Sequence, residues 1–119
     1  MLRTLMIISG GFEFVFGISV LVMVARGVTV SGVTREQATL LGIVTVVLGL
    51  AALIMNNRLD TPLGLGTAYG LWFYNVIAAL ILIYISMNVT DSLIRGGAAI
   101  HTVLGLLFTY ALFAPGHLE

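Results

Sequence analysis

The chain has no cysteine, no lysine and only two prolines, and just 8% of its 119 residues are charged. The missing cysteines exclude a disulfide framework, thiolate metal sites and cysteine nucleophiles. Five arginines against five acidic residues give a formal net charge of zero, so the basic face that nucleic acids require is absent. In place of charge there is apolar surface: 60% of the residues are hydrophobic and the mean hydropathy is +1.15. An ordinary soluble domain is about 45–50% apolar and about 25% charged. A water-soluble chain this short could not enclose so much apolar surface, because small domains have the least interior for their area. The composition therefore places the chain in a membrane.

Four apolar runs, Thr4–Ala25, Ala38–Met55, Leu65–Met87 and Ile94–Phe113, carry almost all of it. Each is close to the ~20 residues a helix needs to cross ~30 Å of hydrocarbon. Barrel strands would alternate polar and apolar residues, whereas these runs are continuously apolar, so the spacing predicts helices. Residues 1–119 thus read as a single all-α integral membrane domain, a four-transmembrane-helix bundle with both termini on one side. The joints carry turn and capping residues. Thr34 and Gln37 fit a capping box, Thr61-Pro62 fits an N-cap followed by a first-turn proline, and Asn88–Ser92 places an acid and hydroxyls at a helix start. The first run holds a glutamate and is long for a signal sequence, so it is expected to stay as a span. Leu118–Glu119 reads as a cloning remnant, set aside from functional reasoning. Arg3 and Arg58 flank one face of the membrane and Arg26, Arg35 and Arg95 the other, which leans toward termini outside the cytoplasm in a multi-pass inner-membrane protein.

Glu13 is the only charged residue deep inside a span, Arg95 standing at the very start of the fourth. It lies ~14 Å deep at 1.5 Å per residue. An ionised carboxylate at that depth costs at least ~2.5 kcal/mol, so it should face the bundle interior, find donors or stay protonated. Either it fixes packing through a neutral hydrogen bond, or it marks a proton- or ligand-binding site. Asn75 in the third run and His101 in the fourth fall within ~5 Å of the same level, so the three can share one layer. Tyr74 adjoins Asn75. Interhelical hydrogen bonding is the plainer role for His101 and Asn75. Each polar residue sits on a stripe of small residues: Gly10 and Gly17 beside Glu13, Gly42 and Gly49 in the second run, Ala78 and Ala79 beside Asn75, Gly97 and Gly105 beside His101. Such stripes mark faces where helices approach closely in lipid, so these six glycines are expected to pack helices. Tyr69 and Trp72 read as interfacial belt residues, and Phe12, Phe14 and Phe16 as packing or lipid-facing rings. One glutamate and one intramembrane histidine cannot close a metal or haem site, and no nucleophile–base spacing or phosphate-binding loop occurs. No cofactor is expected, and an enzyme acting on lipid or quinone has the least support.

Two family resemblances follow from these motifs. An SG-x-x-E-x-x-x-G first helix (Ser9, Gly10, Glu13, Gly17) is joined to an LG-x5-LGL second helix (Leu41, Gly42, Leu48 to Leu50). A YN-x-x-AAL-x-x-x-Y third helix (Tyr74, Asn75, Ala78 to Leu80, Tyr84) and a histidine in the fourth (His101) complete the pattern. Across nearly its whole length the chain resembles small bacterial four-helix membrane proteins loosely grouped as DoxX-like. That resemblance implies the bundle, and for some DoxX-named proteins an association with quinol-oxidising or thiol-redox complexes, but it assigns no role to any residue. The lone Glu13 and the AY-x-x-W start of the third helix (Ala68, Tyr69, Trp72) also resemble small multidrug resistance transporters. The glycine pair that follows the tryptophan in that family is missing, and the second linker is longer than theirs.

The expected protein is a small integral membrane protein whose buried cluster, Glu13 with Asn75, His101 and Tyr74, binds a small hydrophobic or protonatable ligand or supports a membrane complex. Glu13 would carry the proton, with His101 and Asn75 as its hydrogen-bond partners, and the Glu13–His101 pair would titrate as a unit. The alternatives are a proton-coupled transporter acting as an oligomer and a purely structural accessory subunit. Expected partners are the lipid bilayer, a second copy or a larger membrane complex, and a small hydrophobic ligand.

Overall fold

A computed structural model describes residues 1–29 and 32–115, and the Leu118–Glu119 pair set aside above lies outside the described residues. Four helices account for it: α1 (Leu2–Ala25), α2 (Arg35–Met55), α3 (Pro62–Ser86) and α4 (Ser92–Phe113). All four are long and apolar enough to cross a membrane. The last three begin two or three residues before the apolar runs, because their polar first turns carry the caps. Thr34 Oγ1 accepts from Gln37 N–H at 3.1 Å while Gln37 Oε1 accepts from Thr34 N–H at 3.0 Å, the reciprocal box. Thr61 caps α3 through Gly64 N–H, with Pro62 in the first turn, and Asp91 caps α4 through Leu93 N–H at 2.8 Å. α1 ends in a Schellman turn: Val28 N–H reaches Met23 O and Gly27 N–H reaches Val24 O, with Gly27 at φ +72°.

Helices α1 and α2 are fused backbone to backbone. A Cβ on Gly10 would lie 2.7 Å from the Ala52 Cβ, and one on Gly17 2.7 Å from the Gly42 carbonyl. A Cβ on Gly49 would meet the Gly10 carbonyl and the Phe14 backbone. Two glycines seven residues apart on each helix thus form one seam, where close contact supplies dispersion energy in place of the hydrophobic effect, which does not act between helices in lipid. The α3–α4 contact is looser. A Cβ on Gly105 would find Val76 at an ordinary 3.4 Å, and one on Gly97 only the end of Leu82 at 3.3 Å. Gly105 stands in ordinary contact with the α3 backbone at Val76 and Asn75, whereas Gly97 meets only the end of the Leu82 side chain, so the six glycines approach their neighbours to different degrees.

The densest packing lies at the end holding the start of α1 and the end of α4. Leu2, Leu5, Met6, Ala52, Ala68, Leu71, Phe108, Ala111 and Leu112 make one core there. Toward the other end burial thins out. No residue of α1 is buried after Gly17, none of α3 after Ala79, and none of α4 before Ala98. The polar layer sits where the packed half gives way to the open half.

Candidate functional site

Three helices meet at the Glu13 carboxyl: α1 carries it, and α3 and α4 face it. The Glu13 side chain is wholly buried, as are those of Asn75, Ser9 and Thr45. Tyr74 O–H of α3 donates to Glu13 Oε2 at 3.1 Å. The other carboxyl oxygen, Oε1, is enclosed and has no hydrogen-bond partner, the one such side-chain atom among the described residues. His101 Nδ1 of α4 lies 3.9 Å from Oε1, too far for a hydrogen bond but within ion-pair reach were the ring charged. That ring instead donates to Asn75 Oδ1 at 2.9 Å. Asn75 Nδ2 donates to the Leu71 carbonyl at 2.8 Å and to Ser9 Oγ of α1 at 3.2 Å. The Leu71 carbonyl can only accept, so it orients the Asn75 amide with its oxygen toward His101, and His101 Nδ1 must then carry the proton.

The four residues singled out in the sequence, Glu13, Asn75, His101 and Tyr74, thus come together in one layer. Their pairing differs from expectation. Tyr74, rather than His101 or Asn75, bonds the glutamate, because the Leu71 carbonyl and Ser9 claim the asparagine amide and Asn75 claims the imidazole. The stripe on α1 also serves two neighbours: Gly10 and Gly17 face α2, whereas the Glu13 carboxyl reaches α3 and α4. Phe12 meets His101 edge-on with centroids 6.0 Å apart, and Tyr74 does so at 5.5 Å, so two aromatic rings hold the imidazole.

Ser9 was not foreseen as a member of this network. Its place one helical turn before Glu13 is the signal that points to it. The Trp72 indole N–H donates to Thr109 Oγ1 at 2.8 Å and the ring packs edge-on against Phe113, so Trp72 ties α3 to α4 besides lying near a membrane face. Nothing in the sequence signals that pair, which depends on the α3–α4 register.

Beside the cluster a cavity of about 420 Å³ opens between the two hairpins. Phe16, Leu41, Ile77, Ile81 and Leu82 form its apolar walls, and Tyr74 and His101 are its polar members. Phe16, Leu41, Ile77 and Ile81 are also exposed on the outer surface, so the groove opens sideways toward lipid rather than toward water. Among the described residues no three His, Cys, Asp or Glu side chains gather as metal ligands would. The site's resource is hydrogen bonding in an apolar setting, where each bond and each missing partner weighs more than in water. No family model matches the chain, and neither a curated protein nor a solved structure is similar to it.

Proposed function

We propose that this protein is a small multi-pass membrane protein, of the bacterial inner membrane as its resemblances imply, that binds a small hydrophobic molecule from the bilayer. The molecule enters the lateral groove and sets its polar end against Tyr74 and His101, with Glu13 behind them as the proton-carrying group. One observation carries this reading: a fully enclosed carboxyl oxygen without a partner, one residue contact behind an apolar groove of ligand size. A purely structural bundle has no use for an unpaired buried acceptor, which costs stability for no gain in packing.

The test is infrared difference spectroscopy of the Glu13 carboxyl in nanodiscs, against Glu13→Gln, with uncharged lipophilic probes added from mildly acid to mildly alkaline pH. Probe binding should shift the carboxyl band, raise the unfolding temperature, and fail in Ala78→Phe, which fills the groove. A band that ignores every probe, with no change in unfolding temperature, overturns the reading in favour of a structural subunit. The free carboxyl oxygen also supports a second reading, proton-coupled transport. Four helices leave no room for a pore within one chain, so that reading requires an oligomer and expects proton release when a lipophilic cation is added.

A further inference from the structure

Every polar group that the groove meets has already spent its proton. Tyr74 uses its hydroxyl hydrogen on Glu13 Oε2, and His101 uses its Nδ1 hydrogen on Asn75 Oδ1. With Nδ1 protonated in a neutral ring, Nε2 is a bare acceptor. Nε2 makes no hydrogen bond, yet Glu13 Oε1 is the only enclosed side-chain polar atom without a partner among the described residues, so Nε2 is not enclosed. It accounts for part of the 9% of the His101 side chain that stays accessible, on a residue that lines both this groove and a cleft between α3 and α4, and Nε2 is assigned to the groove. The Tyr74 oxygen likewise keeps only lone pairs to offer. The groove therefore presents acceptors and no free donor.

Resting on the ligand-binding reading above, we infer that the ligand is a neutral, mostly apolar molecule with one hydroxyl group, which it donates to His101 Nε2. Ketones, ethers and esters of the same shape find no donor. A permanent cation meets only dipoles at the wall, because the Glu13 carboxyl is 0% exposed behind it, and burying an ion without a direct counter-ion is costly. The volume of about 420 Å³ fits a small amphiphile and is too small for a two-chain lipid.

The probes are 4-octylphenol, its methyl ether 4-octylanisole, and tetraphenylphosphonium. The protein is the full chain in nanodiscs with ¹⁵N-labelled histidine and His117→Gln, which leaves one of its two imidazoles. Nitrogen NMR of the resting protein should show Nδ1 protonated and Nε2 bare. Octylphenol should shift Nε2 alone and bind about tenfold more tightly than the ether, the equivalent of one hydrogen bond. Equal binding of phenol and ether overturns the donor rule while leaving the groove a binding site. A resting proton on Nε2, or binding of the phosphonium in preference to the phenol, overturns it too. Failure of both phenol and ether to bind overturns the groove reading itself. The resting tautomer is read on unaltered site residues, so no variant has to fold for the inference to fail.

Discussion

At the end of the bundle where the chain starts, all four helices contribute to one layer in which Met6, Leu71 and Phe108 are sealed from the surroundings. At the other end α1 and α2 stay together along their glycine seam, while α3 and α4 leave a groove between themselves and that pair. All four helices are apolar enough to cross a membrane, so hydrophobicity alone does not distinguish the halves. Side-chain size at the inward positions does. Leucine, methionine and phenylalanine, with Ala52, Ala68 and Ala111 set between them, fill the packed half. In the open half the inward positions are Ala38, Gly42, Ala79 and Ala98, too small to reach across. In lipid, where tails solvate leucine as well as a neighbouring helix does, association follows shape rather than greasiness. The polar layer stands at this boundary, held by packing on one side and accessible on the other.

The comparison breaks most decisively at the seam. Gly49→Val pushes a branched side chain into the α1 backbone and should cost ~3 kcal/mol or more, seen as loss of the thermal transition by circular dichroism in detergent. Gly97→Ala, which meets only the end of Leu82, should stay within ~0.5 kcal/mol of the parent in the same assay. Nearly as large is the contrast between truncations: Phe108→Ala in the packed half should cost ~3 kcal/mol, and Leu82→Ala on the groove wall under ~1 kcal/mol. Equal losses would mean that the groove closes in the membrane. At the boundary, Asn75→Leu leaves Ser9 and the His101 Nδ1 hydrogen without partners and should cost ~1–2 kcal/mol by denaturant titration. The smallest effect belongs to Glu13→Gln. Its amide oxygen still accepts from Tyr74, so stability should change by less than ~1 kcal/mol, while the carboxyl band disappears from the infrared spectrum.

Much of this architecture was legible in the sequence because it depends on local chemistry. Thr34 with Gln37, and Thr61 with Pro62, announce their helix starts through neighbours three residues away or fewer. The shared level of Glu13, Asn75 and His101 follows from counting rise per residue, which needs no knowledge of helix rotation. Rotation and crossing were the illegible part. Gly97 and Gly105 have the same spacing logic as Gly10 and Gly17, yet only the α1 pair is pressed against another backbone too closely to admit a Cβ, because what faces a stripe is decided by the partner helix. For the same reason the sequence could not tell that Tyr74 would take the glutamate while Asn75 turned to Ser9 and Leu71.

Glu13 sits behind Tyr74 and His101 with none of its surface accessible. A proton bound for its carboxyl cannot arrive by diffusion alone: it must pass through the Tyr74 hydroxyl that donates to Oε2, or wait for an enclosing side chain to swing aside. The exchange rate is then set by the turning of a hydroxyl or a side chain held in a packed layer, slower than the free flipping of an exposed residue. Whatever charge state the carboxyl holds, it holds with a lag, so the site keeps a short memory of past conditions rather than tracking them instant by instant.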